Sequence, residues 1–154
     1  MRSQNAATRS RLRSLDVIVT SLSSDAHTWN LVFIQLLLED LGHRVVNLGP
    51  CTPDELIVDA CRRHRPDLLV VSTVNGHGYL DATSLIGALR DVEELARMPA
   101  VIGGKLDVGG VDQVQREQEL LAAGFDAVFE EDVALASFHS FVSELLPGVP
   151  SDRR

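Results

Sequence analysis

Five short runs of aliphatic and β-branched residues recur along the chain, each followed by a longer stretch with helical spacing, and this alternation restricts the fold more than any other feature. The runs are LDVIVT (15–20), HRVVNLG (43–49), DLLVVST (67–73), AVIGG (100–104) and FDAVFE (125–130). They do not alternate apolar with polar residues. They are nearly continuous, as parallel strands covered on both faces must be. The intervening stretches have helix signals. Between the second and third runs, Thr52 is placed to cap, Pro53 to occupy the first helical position and Glu55 to complete a Thr-x-x-Glu capping box. Leu56, Ile57, Ala60 and Cys61 then share one face, Arg62, Arg63 and Arg65 are left for solvent, and Pro66 ends the helix. The first helix, roughly Trp29 to Leu41, is apolar almost all round, so it is either deeply buried or partly an interface, with Gly42 suited to a left-handed stop.

Such βα units predict a flavodoxin-like (Rossmann-like) α/β fold: a five-stranded parallel sheet, right-handed crossovers and helices on both faces. A length of 154 residues accommodates one domain with a real core. We place it at 15–146, between a disordered tail at 1–14 that carries four Arg and a short C-terminal tail at 147–154. An apolar fraction of 45% and a charged fraction of 23% are those of an ordinary globular chain. No apolar run is long enough to cross a bilayer, and no signal-like segment follows the first residues, so no membrane association is expected. A net charge of −8 argues against nucleic acid as a partner of the folded part. Cys51 and Cys61 lack a CxxC spacing and read as free thiols of a cytoplasmic protein.

In open parallel sheets, ligands bind beyond the carboxyl ends of the strands, where the strand order reverses. The segment after the first strand, SSDAHTWN (23–30), places Asp25 and His27 two residues apart. In extended backbone such a pair points into the same crevice. A carboxylate that holds one ring N–H fixes the imidazole tautomer and leaves the other nitrogen for a metal. Asp25 or Thr28 can equally cap the first helix, and a capping Asp beside an exposed His is the plain alternative. Zinc needs three or four protein ligands, whereas His43, His64, His77 and His139 lie on separate elements. A metal bound through His27 must therefore bring most of its coordination with it, as a tetrapyrrole-like macrocycle does.

At this point the chain resembles the cobalamin-binding domains, whose signature is Asp-x-His-x-x-Gly, then Ser-x-Leu, then Gly-Gly. Within that family it is most similar to the small subunits of glutamate (methylaspartate) mutases, over roughly residues 15–145. The matching stretches are SDAHTWN, VVNLG with PDEL, VVSTVNGHGYLD and IGGKLDVGG. The resemblance implies an adenosylcobalamin cofactor, with His27 as the lower axial ligand of cobalt and Asp25 as its partner, in a loop with Ser24, Ala26 and Thr28. It implies a slot for the displaced nucleotide tail, lined by Ser72, Thr73 and Val74. Gly103 and Gly104 would allow close backbone approach to the tail, and Lys105, Leu106, Asp107, Val108 and Gly109 would continue around it. It also implies a larger catalytic mutase subunit with a barrel fold, which covers the upper corrin face and binds the amino acid, and no turnover by this chain alone.

The chain departs from the family pattern in three places. Asn30 stands where the signature has Gly: if backbone shape is the requirement, Asn is the commonest substitute in left-handed conformations, whereas if no Cβ fits there, binding suffers. Val74 replaces the usual Leu. FEED (129–132) stands where the family has a Pro-Gly-Thr type turn, so Glu130, Glu131 and Asp132 either start a helix or reshape the slot. Other readings are a corrinoid carrier for methyl transfer, for which the few residues before the first strand leave no room for the usual helical cap, and a mutase of another acid. A receiver-like or degenerate interaction module is a further reading, although Ser72, Thr73 and Val74 hold the place of a receiver's acidic phosphoacceptor.

Overall fold

The computed structural model describes residues 14–74, 78–104, 113–130 and 134–146. Five parallel strands, β1 (Asp16–Thr20), β2 (Arg44–Asn47), β3 (Leu68–Thr73), β4 (Ala100–Gly104) and β5 (Ala127–Glu130), form one sheet in the order β2-β1-β3-β4-β5. Helices α1 (Trp29–Asp40), α2 (Asp54–His64), α3 (Gly78–Asp91), α4 (Gln113–Ala123) and α5 (Ala134–Leu145) connect and flank them, with a short 3-10 turn at Glu93–Leu95. The flavodoxin-like arrangement read from the apolar runs is the one found. β3 is central and buried at all six residues, which explains why DLLVVST carries no polar alternation.

The sheet divides the core in two. Ile18, Leu69, Val71 and Ile102 face Ile57, Ala60 and Cys61 of α2, Ala82, Leu85, Ile86 and Leu89 of α3 and Leu120 of α4. Val17, Val19, Val70 and Val101 face Leu31 and Leu38 of α1 and Phe138 and Val142 of α5. Successive strand residues thus feed opposite cores, the period-two consequence of a two-sided sheet. Because β1 connects outward to β2 but its other neighbour is β3, the order reverses between β1 and β3. The crevice lies at their carboxyl ends.

Two local expectations are corrected. The capping box at α2 does not form: the helix starts at Asp54 after Pro53, and the Thr52 hydroxyl instead donates to Gly49 O at 2.8 Å. Leu56 is 57% exposed rather than packed with Ile57, Ala60 and Cys61. The stop holds, with Arg65 in the left-handed region at φ +45 and its N–H on Cys61 O. Gly42 likewise ends α1 at φ +95. Helix α1 resolves its two alternatives toward a surface, since Trp29 is 83% exposed and Phe33 and Leu36 are more than half exposed. No helix among the described residues is long and apolar enough to cross a membrane.

Candidate functional site

The loop between β1 and α1 is built around Asp25, which is 1% exposed. Its backbone is held first. Asp25 N–H donates to Leu22 O (3.0 Å), and Asp25 O accepts from Cys51 N–H (2.8 Å) and the Ser21 hydroxyl (2.9 Å). The Cys51 contact comes from a residue in the left-handed region, φ +51, at the β2–α2 turn. Two segments, the end of β1 with its own loop and the β2–α2 turn, therefore fix where the carboxylate sits.

The carboxylate accepts four hydrogen bonds. Oδ1 takes the backbone N–H of His27 (3.0 Å) and its ring Nδ1 (2.7 Å), while Oδ2 takes the Thr73 hydroxyl (2.8 Å) and the Val74 N–H (2.7 Å). Burial alone pushes this carboxyl upward. The bonds from the N–H groups of His27 and Val74, the Thr73 hydroxyl and the His27 ring outweigh it and hold the group below its ordinary value of 3.8. An ionised carboxylate only accepts, so the ring proton resides on Nδ1 and Nε2 carries the lone pair. The His27 side chain is 63% exposed, with Nδ1 tied inward.

Neither capping alternative describes this loop. Thr28 occupies the N-cap position of α1 without a side-chain hydrogen bond, and the Asp25 oxygens are committed to His27 and the end of β3. Ser24, Ala26 and Thr28 lie exposed on the same loop, and the Ser24 hydroxyl donates to Asp81 in the first turn of α3. His43 is buried, whereas His64 and His139 are exposed on α2 and α5. Among the described residues no three His, Cys, Asp or Glu gather as a metal set.

Beside this loop a cavity of about 200 Å³ runs between the sheet and the pair α1 and α5. Residues 30, 33, 34 and 37 of α1 line one side, a helical stripe at i, i+3, i+4 and i+7. Val70 and Ser72 of β3, Val74 just beyond it, Val101, Gly103 and Gly104 of β4, and Phe129 and Phe138 close it. Ser72 is 5% exposed, and among the described residues its hydroxyl has no hydrogen-bond partner. A buried hydroxyl without a partner costs stability unless a guest supplies one. Thr73 is not on this wall. The alternation of β3 turns it to the opposite side, where it holds Asp25.

The two glycines have distinct reasons. At Gly104, φ is +110 and a Cβ would stand 2.1 Å from Thr73 O, so backbone packing against β3 requires glycine there. At Gly103, which lines the cavity, a Cβ would meet Phe129 O at 3.1 Å, a tight but smaller conflict. Asn30 lies within α1 in right-handed helical backbone, not in the left-handed region weighed from the sequence, and its side chain lines the cavity. Lys105, Leu106, Asp107, Val108 and Gly109, together with His77, Glu131 and Asp132, lie outside the described residues, as does the side chain of Glu130. Tyr79 joins α3 to α4: its hydroxyl donates to Glu119 and the Arg116 guanidinium lies 5.2 Å from its ring centre. The aromatic lining, Phe33, Phe129 and Phe138, was not anticipated, although the spacing of Phe33 from Asn30 was a usable signal.

Known proteins resemble the chain in sequence and in fold. The B12 binding domain family matches residues 15–137. Glutamate mutase sigma subunit 1 of Haloarcula marismortui is 30% identical over 116 residues, which cover 75% of this chain and 76% of that protein. A cobalamin-binding protein from Desulfitobacterium hafniense DCB-2 superposes with a TM-score of 0.67 at 18% identity, over 84% of this chain and 59% of that longer one. A receiver domain of a Francisella response regulator gives 0.64 at 19% identity, over 86% of this chain and 96% of that one. At such identities the structural likeness is one of fold.

Proposed function

The chain belongs to the B12-binding domain family, and from that premise we propose that it is the cobalamin-binding small subunit of an adenosylcobalamin-dependent carbon-skeleton mutase that interconverts glutamate and 3-methylaspartate with a larger barrel subunit. The observation that carries the reading is the Asp25–His27 pair. With Nδ1 held at 2.7 Å by a buried carboxylate, the exposed imidazole has one defined lone pair, on Nε2, at the switch point of the sheet. His27 would hold cobalt through Nε2, and Asp25, anchored by Thr73 and Val74, would set ring orientation and basicity. The cavity beside it supports the second half of the reading. Its apolar walls and the lone Ser72 hydroxyl suit a flat aromatic base with one hydrogen-bonding nitrogen, the displaced benzimidazole of the tail.

When bound, adenosylcobalamin supplies a weak cobalt–carbon bond whose homolysis starts radical chemistry. This chain's part is to hold and orient. The His27 loop and the slot would hold the cofactor, and the substrate-binding and water-excluding surfaces would belong to the partner. The glutamate mutase sigma subunits that the chain resembles favour this reaction over another acid's mutase.

Titration of the purified chain with cobalamin should give the absorption change of histidine replacing benzimidazole, and the cobalt(II) form should show hyperfine splitting from a protein nitrogen. His27→Ala should abolish both. Unchanged spectra in that variant would remove His27 from the axial position. Glutamate should be rearranged only when a barrel-type mutase subunit is added, and turnover by this chain alone would overturn the division of labour.

A further inference from the structure

Of the residues that line the slot, Asn30 and Val74 depart from the family signature, and at Asn30 the structure removes the conformational reason for the departure. Asn30 sits in the first turn of α1 in right-handed helical backbone, where almost any residue is allowed. Its side chain faces the cavity on the same stripe as Phe33, Ile34 and Leu37. Among the described residues its carboxamide, like the Ser72 hydroxyl, has no hydrogen-bond partner. These two are the polar side chains of an otherwise aliphatic, aromatic and glycine lining.

Both polar groups lie toward the carboxyl ends of the strands. Ser72 precedes the last residue of β3 and pairs in register with Gly103, within the sheet. Asn30 is in the first turn of α1, three residues beyond His27, and along the helix axis it stands about 10 Å from Leu37. A guest whose flat base lies deeper, against Leu37, Val70 and Phe138, must pass its connection to the corrin through the mouth that Asn30 occupies. In a cobalamin that connection is a ribose and a phosphodiester, which need donors when they leave water. A carboxamide offers two N–H donors and no charge. A glycine offers none.

We propose that Asn30 is a specificity-determining residue of the slot, whose carboxamide hydrogen-bonds the sugar–phosphate linker of the tail, so that this chain discriminates complete cobalamins from corrinoids that lack the nucleotide. The inference rests on the cobalamin-binding reading and extends it to a residue outside the signature. Asn30→Gly restores the signature and removes the donors. Asn30→Asp keeps the shape, loses the donors and sets a negative charge against an anionic linker.

The test is a pair of titrations on the full chain, with hydroxocobalamin and with diaquocobinamide, a corrinoid without the nucleotide. Binding is read by quenching of Trp29, the chain's one tryptophan, which is exposed and adjacent to Asn30. Asn30→Gly should weaken hydroxocobalamin about fivefold and Asn30→Asp more than tenfold, the scale of one hydrogen bond to a charged group and of its replacement by repulsion. Both should leave the cobinamide within twofold. Tighter or unchanged hydroxocobalamin binding by Asn30→Gly overturns the proposal, because the side chain is then an obstruction or a bystander. Equal weakening of both corrinoids also overturns it, since that is a structural effect. Failure of the parent chain to bind hydroxocobalamin at all would instead sink the cobalamin reading on which the inference rests.

Discussion

Asp25 is a side chain whose worth depends on charge as well as shape. Four donors converge on its two oxygens, and an amide in the same place would turn an NH₂ toward two of them. Asp25→Asn should therefore cost about 2–3 kcal/mol in urea unfolding, and should weaken corrinoid binding even at temperatures where the variant is folded. An Asn variant with parent stability would mean that the carboxylate is not the anchor of the loop. His43 tests a different pH range. Its Nδ1 accepts the Leu15 N–H at 3.0 Å, so the buried ring is neutral with its proton on Nε2, and burial depresses its pKa below the ordinary 6.5. The unfolded chain takes up that proton first as pH falls. This contribution to stability is complete above about 6.5 and declines as pH drops through the folded value. Urea midpoints measured between pH 7.5 and 5 should fall with acid more steeply for the parent than for His43→Gln; equal slopes would exclude His43 as the source. At this scale the sequence revealed the Asp25–His27 pair, because a two-residue spacing is local. It did not reveal Thr73, Val74 N–H and Cys51 N–H as partners of Asp25, because those contacts exist only once β1 lies between β2 and β3.

At the scale of elements, strands were the legible part and helix ends the illegible part. LDVIVT and DLLVVST read as strands because burial on both faces writes itself as an unbroken apolar run. The α2 capping box failed because Cys51 enters the left-handed region, and the Thr52 hydroxyl turns back to Gly49 O. A tertiary turn overrode a local pattern. The glycine pair was legible as a motif but not in its cause. Gly104 is required by the Thr73 carbonyl, 2.1 Å from any Cβ, in addition to its φ of +110. Gly42 shares the positive φ but has open space around it. Gly42→Ala should thus cost only the backbone preference, about 1 kcal/mol. Gly104→Ala must move β4 away from β3 or rotate the peptide, and should cost more than about 3 kcal/mol. The displacement would also reach Thr73, which holds Asp25, so the surviving folded fraction should bind corrinoid less tightly. Equal destabilisation by the two substitutions would show that the Thr73 contact relaxes freely.

The whole molecule separates its two duties between the two ends of one sheet. The carboxyl ends of β1, β3 and β4 carry the His27 loop and the slot, where among the described residues the Ser72 hydroxyl has no hydrogen-bond partner and the imidazole is more than half exposed. The opposite end is closed by Arg90 of α3, whose guanidinium donates to Leu95 O (2.8 Å), Met98 O (2.7 Å) and Gly124 O (2.8 Å) and pairs with Asp126 (3.3 Å). Asp126 in turn accepts the Ala100 N–H at the start of β4. One mostly buried cation thereby gathers the 3-10 turn, the entry to β4 and the corner before β5. Arg90→Met keeps the aliphatic stem but takes the guanidinium donors from three carbonyls, of which Leu95 O retains the Met98 N–H. It should remove about 3 kcal/mol, and in a domain of this size lower the melting temperature by about 8 °C. Because the functional loops hang from the other end of strands that remain paired, corrinoid affinity measured well below that transition should stay within twofold of the parent. A loss of affinity in step with the loss of stability would mean that the sheet transmits strain end to end, and that the site is not supported independently of the closure beneath it.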